Sequence, residues 1–172
     1  MKTLVIIILL LTGSTAISQR IIPPTDSLII TGFIKNPTVF SLADLDMFPQ
    51  TVIHDLVIYS HKGEVKDTLT GLKGIPLKDL LASLEFDYDK PKNLNEFYFV
   101  FTASDDYKVV FSWNEIYNTE LGNNFYILTE LNGRKLLDME QRILFISTAD
   151  LNTGRRYIKG LKEIDIKRLN NF

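Results

Sequence analysis

The 172-residue chain contains no cysteine. That absence excludes disulfides, thiolate metal sites, a cysteine nucleophile and a lipid anchor on sulfur. Histidine is almost as scarce, with only His54 and His61. Charge is balanced, at a net −2, and no block of one sign occurs, so neither nucleic acid nor an anionic membrane surface is an expected partner. The one sustained apolar run, Leu4 to Leu11, falls well short of the ~20 residues that a membrane-spanning helix needs. There is no low-complexity tract and no internal repeat of the kind that builds a solenoid.

What is present begins with that run. Lys2 precedes it, and Ala16 and Ser18 follow with the small-residue spacing of a signal-peptidase site. Residues 1–18 are therefore expected to be a secretory signal peptide, and the mature chain a soluble protein exported to the periplasm or the extracellular space. Removing 18 of 172 residues leaves 154. That length suits a single domain over residues 19–172, and no linker composition divides it.

Along the mature chain, turn signals separate short strand-like and helix-like segments. Ser27 to Ile34 has strand composition and stops at Lys35-Asn36-Pro37. Ser41 with Asp44 forms a capping box for a short helix whose apolar face is Leu42, Leu45 and Phe48. One strand is expected over Thr51 to Ser60, pairing with Val65 to Thr70 through the turn at His61 to Gly63. Gly71 to Gly74 reads as a loop feeding a helix with Leu77, Leu80, Leu81 and Leu84 on one stripe. Glu96 to Ala103 is apolar on both faces and belongs in a sheet interior. Ser104-Asp105-Asp106 turns it into Tyr107 to Phe111, and Ser112 with Glu115 caps another short helix. Asn132-Gly133 is a strong two-residue hairpin signal. Strands over Arg142 to Ser147 and Tyr157 to Ile166 complete an α+β, mainly β fold with mixed sheets, eight or nine strands and about three short helices.

Few residues stand out as chemistry. On a regular strand, a separation of seven puts His54 and His61 on opposite faces, so they are not expected to share a metal. Neither His54-Asp55 nor Ser60-His61 has hydrolase spacing. Asp105 and Asp106 sit where aspartates commonly hydrogen-bond their own turn. Arg155, Arg156 and Lys159 offer donors suited to a phosphate or carboxylate, or else form a solvated face. Trp113, Tyr107 and Tyr98 read mainly as core.

The order of ITGFIKNPTVFSLADLDMFPQ, LTGLKGIPLKDLL, TASDDYKVVFSWNEI, LNGRKL and GRRYIKGLKEIDI resembles the oxidoreductase molybdopterin-binding domain, the fold of sulfite oxidase and its small secreted relatives. The resemblance spans Leu28 to Leu169. It implies that the strand after the FPQ segment ends where the family carries a molybdenum-binding cysteine. The matching stretch here is LVIYSHKG, with Ile58, Tyr59 or Ser60 at that place. The resemblance therefore implies a cofactor pocket floored by this stretch but without the metal's thiolate.

Under that resemblance the cofactor-binding candidates are Tyr59, Ser60, His61, Asp105, Tyr107, Arg155, Arg156 and Lys159. Asp105 would grip a pterin edge and an arginine would take a polar or anionic tail. Molybdenum is not expected. The function implied is a non-catalytic pterin-binding or related ligand-binding module, a sensor acting with a membrane-bound signalling protein. The alternative is a molybdopterin-dependent oxidoreductase with no cysteine on its metal.

Overall fold

A computed structural model of the chain describes residues 21–169; the expected signal peptide lies outside the described residues. Alternating burial, rather than long helices, organises the architecture. The described residues form three α-helices of one turn or so, four 3-10 segments and thirteen short strands. The α+β, mainly β expectation holds.

A five-stranded sheet contains β1 (Ser27–Gly32), β2 (Thr38–Ser41), β7 (Phe97–Ala103), β8 (Lys108–Ser112) and β13 (Leu161–Arg168) in the order β2-β1-β13-β7-β8. The β1–β13 pair is parallel and the rest are antiparallel, so the sheet is mixed. A second sheet runs β12 (Ile158–Lys159), β11 (Leu144–Ser147), β9 (Phe125–Leu131), β6 (Leu72–Pro76), β3 (Thr51–Ile53), with β10 (Arg134–Lys135) hung on β9. The strands β4 (Leu56–Tyr59) and β5 (Val65–Leu69) make a separate hairpin.

Period-two patterning explains how the two large sheets meet. Phe97, Phe99 and Phe101 of β7 are fully buried, while Tyr98 and Val100 between them are only partly covered. Phe101 and Phe111 from the first sheet meet Phe145 and Phe125 from the second, with centroids 4.9 Å apart for Phe101–Phe145 and 5.0 Å for Phe111–Phe125. These edge-to-face contacts join the inner faces into one hydrophobic cluster.

Both capping boxes form as the sequence predicts. Ser41 and Asp44 start α1 (Leu42–Asp46), and Ser112 and Glu115 start α3 (Trp113–Tyr117). At Asn132-Gly133 both residues take positive φ, 52° and 73°, which matches the tight turn joining β9 to β10.

Four segments depart from the sequence reading. Thr51 to Ser60 is two strands in different sheets, because the chain turns away at His54-Asp55, where Asp55 accepts the Gly71 N–H at 3.2 Å. Gly71 to Gly74 is mostly strand. Leu72 and Ile75 are buried, and a register shift at Lys73/Gly74 brings Gly74 so close to Ile127 that a Cβ would lie 2.9 Å from its carbonyl oxygen. The last expected strand breaks at Gly160, whose φ of 64° passes the chain from the second sheet to the first. The leucine helix is also shorter than its stripe: α2 spans Leu77–Leu80 and Leu81 closes it.

Candidate functional site

Three segments converge beside the β4–β5 hairpin. The first is the end of β4. Alternation along the strand buries Ile58 and Ser60 on one side and turns Tyr59 to the other. The Ser60 Oγ accepts the N–H groups of Lys62 and Glu64 at 3.1 and 3.2 Å, closing the turn that carries His61. The second segment is the turn from β7 to β8. Asp106 there has a φ of 64°, and Asp105 Oδ1 accepts the Tyr107 N–H at 3.2 Å. The third is the 3-10 turn Thr153–Arg155 and the strand that follows it. The buried Thr153 Oγ1 accepts the Tyr59 N–H at 2.9 Å and donates to the Val57 carbonyl at 2.7 Å. Gly154 permits that approach, since a Cβ on it would sit 2.6 Å from the Tyr59 carbonyl oxygen.

Between these segments lies a cleft of about 520 Å³, within the range of small-ligand sites. Ser60, His61, Asp105, Tyr107, Arg155 and Lys159 line it. The structure thus gathers six of the sequence candidates from positions nearly a hundred residues apart. Tyr59 and Arg156 are not in the lining. Tyr59 is on the opposite side of β4 from its neighbours. Arg156 points away from Arg155 into a structural cluster: it donates through Nε to Asp150 at 2.6 Å, pairs with Glu115 at 3.1 Å, and packs over the rings of Phe111 and Phe125. The Asp150 hydrogen bond raises its pKa further, against the opposing effect of burial. Arg156 is a cross-link of the fold. The two histidines are also apart: His61 lines this cleft, whereas His54 faces a shallow depression beside Lys73 and Glu130.

Sequence reasoning missed Tyr157 and Asp67. Tyr157 is largely buried, and that burial, with the Asp67 charge adding to it, pushes its phenol well above the ordinary tyrosine range. Its hydroxyl therefore stays protonated at any physiological pH. Its place within GRRYIKG gave a signal for the segment but none for the side chain's direction. Asp67 lies on β5, whose first four residues are all exposed, so no pattern marked it. Ile22, Ile58 and Ala103 supply apolar wall.

No family model and no curated protein matches the chain. Among solved structures, the sulfane dehydrogenase SoxCD from Paracoccus pantotrophus is similar over 84% of this chain and 39% of its own, with a TM-score of 0.60 and 17% identity. The chain has a distant molybdopterin-oxidoreductase-like fold. At that identity the likeness is one of fold alone, and the chain spans about two-fifths of the longer protein's length.

The donor set can be tested against the metal such a fold implies. Ile58 is apolar and buried, Tyr59 faces away from the cleft, and the Ser60 oxygen is occupied by two backbone N–H groups. None of the three presents a thiolate, and Ser60 would have to give up its turn to ligate anything. The residues present do not fit a thiolate-anchored molybdenum centre.

Proposed function

We propose that the protein is an exported, non-catalytic module that binds a pterin or a closely related flat, polar heterocycle. The observation that carries this reading is the convergence of Asp105, His61, Arg155 and Lys159 on one cleft with apolar walls, at a place where no thiolate is available to hold the metal. A pterin's amide and amino edge presents two adjacent N–H groups, which a carboxylate such as Asp105 accepts together. Its faces need apolar cover, for which Ile22, Ile58 and Tyr157 are available. The reading extends to export with removal of residues 1–18 and to a membrane-bound signalling partner that senses the occupied cleft.

Titration of the mature protein with oxidised and reduced neopterin, followed by ligand fluorescence, tests the central claim. Saturable binding is expected, weakened at least about tenfold by Asp105→Asn through loss of a charge-assisted pair of hydrogen bonds. Absence of saturation, or indifference to Asp105→Asn, overturns it. Elemental analysis of protein from its native compartment tests the enzymatic alternative, for which molybdenum or tungsten near stoichiometry would be required. Intact mass of the same material tests export, with Gln19 as the expected first residue.

A further inference from the structure

Asn132-Gly133 is the single Asn-Gly pair of the chain, and it forms the exposed tip of the β9–β10 hairpin. A glycine nitrogen has no neighbouring Cβ to shield it, which makes it the least hindered amide that can attack the carboxamide of a preceding asparagine. Here its surroundings are open as well: nothing lies within 4 Å of the position a Gly133 Cβ would take.

The tip is nevertheless held. Asn132 and Thr70, 62 residues apart, exchange three hydrogen bonds: the Asn132 N–H donates to the Thr70 carbonyl at 2.9 Å, and Asn132 Oδ1 accepts the Thr70 N–H at 3.1 Å and the Thr70 Oγ1–H at 2.9 Å. Neither the Asn132 Nδ2 group nor the Gly133 N–H has a hydrogen-bond partner among the described residues. Thr70 lies between β5 and β6. The clamp therefore ties the foot of the β4–β5 hairpin to the end of β9.

From this arrangement we propose that Asn132 is a deamidation site whose reaction is gated by Thr70. The Gly133 nitrogen attacks Asn132 Cγ and forms an N–Cγ bond; the Cγ–Nδ2 bond breaks, and Nδ2 leaves as ammonia with the former Gly133 amide proton. Water then opens the resulting succinimide. Attack at one carbonyl gives aspartate, and attack at the other gives isoaspartate, with the backbone routed through the side chain. No cofactor, oxidant or enzyme is required, and the reaction is independent of the pterin reading.

The folded turn opposes the first bond. With φ of 52° and 73° at its two central residues, the turn is of the primed type, in which ψ of the first is about +30°. That rotation carries the Gly133 nitrogen to the side of Cα away from the Asn132 side chain, while Thr70 holds Oδ1. Cyclisation needs both constraints released, which is a local opening of the hairpin tip. The two products then differ at the clamp. An aspartate carboxylate accepts the same two Thr70 donors, now charge-assisted, whereas isoaspartate lengthens the backbone by a carbon and breaks the register that sets Arg134 opposite Leu131.

The test incubates the mature protein at mildly alkaline pH and follows conversion at residue 132 by peptide mass mapping, with isoaspartyl methyltransferase labelling to separate the products. The folded parent is expected to convert at least about tenfold more slowly than the same protein unfolded in urea. Thr70→Val, which loses the hydroxyl donor, should react about fivefold faster than the folded parent, the change that one lost hydrogen bond makes to the opening equilibrium. Thr70→Ser should restore the parent rate. Asn132→Asp should keep the parent circular dichroism and melting midpoint, as a carboxylate at the same acceptor position requires. No conversion at residue 132 even in urea overturns the site. Equal rates folded and unfolded, or a Thr70→Val rate equal to the parent's, overturns the gate.

Discussion

The Tyr107 hydroxyl donates to the main-chain carbonyl of Arg155, 48 residues further along the chain. This bond ties the turn after β7 to the 3-10 turn that closes the cleft. The opposite flank of that turn is held by Thr153, which bridges two backbone groups of β4. The cleft is thus held at both ends by bonds to the main chain, leaving the side chains of His61, Arg155 and Lys159 in its lining.

Tyr107→Phe should release one end. The lost hydrogen bond is worth about 1 kcal/mol, and the freed Arg155 carbonyl can turn to water. Expected outcomes are a small drop in the urea midpoint, faster amide exchange across residues 153–156 and weaker pterin binding. Unchanged exchange in that segment would refute the clasp.

Adjacent arginines should behave oppositely. Arg156→Ala strands Asp150, whose side chain is only 10% exposed, and removes the cation lying over Phe111 and Phe125. Breaking a buried pair this way costs about 3 kcal/mol, readable as a large fall in the urea midpoint. Arg155→Ala should stay within about 0.5 kcal/mol of the parent while weakening the ligand. Equal destabilisation by both substitutions would contradict the assignment.

Gly160→Ala should destabilise the whole fold. Its φ of 64° is unfavourable for alanine, and the new Cβ would lie 2.6 Å from Ser104 Oγ and 2.8 Å from the Pro23 carbonyl oxygen. Strain of this kind costs about 1–3 kcal/mol, so thermal unfolding should move down by several degrees. A melting curve superimposable on the parent would show that the sheets do not depend on this crossing point.

Acid should weaken the fold from its ion-paired surface. The Arg168 hydrogen bond holds Glu96 below the ordinary glutamate range, Lys35 does the same for Glu85, and the Ser41 hydroxyl and N–H lower Asp44. Each carboxylate is more acidic folded than unfolded, so its contribution is complete above the ordinary carboxylate range and is lost as pH falls through the lowered folded value. Urea midpoints should be level from neutrality down to that range and decline below it. Glu96→Gln should flatten part of the decline; a slope identical to the parent's would show that the Arg168 pair is energetically silent.

Much of the fold was legible because its signals are local. Ser41 with Asp44 and Ser112 with Glu115 cap helices using only residues within one turn, and Asn132-Gly133 needs only its own backbone freedom. Gly74 and Gly160 misled in opposite ways. A glycine usually marks a loop, but Gly74 sits inside a buried strand because of what packs against it, and Gly160 interrupts what reads as one strand from Tyr157 to Ile166 because a second sheet claims the residues after it. Neither neighbour is visible in the sequence around the glycine.

By itself, the sequence determined the class of fold, the short capped helices, the absence of any thiolate and the three segments that matter at the cleft. Only the tertiary structure decided that Arg155 lines the cleft while Arg156 is held against Asp150, that Tyr59 is outside the lining, and that Tyr157 and Asp67 are part of it. Propensity and hydrogen-bonding capacity are properties of neighbouring residues along the chain, whereas side-chain direction in a loop is fixed by partners far away in sequence. Asp150, Thr153 and Asp67 supply those partners here, and their positions exist only once the sheets have packed.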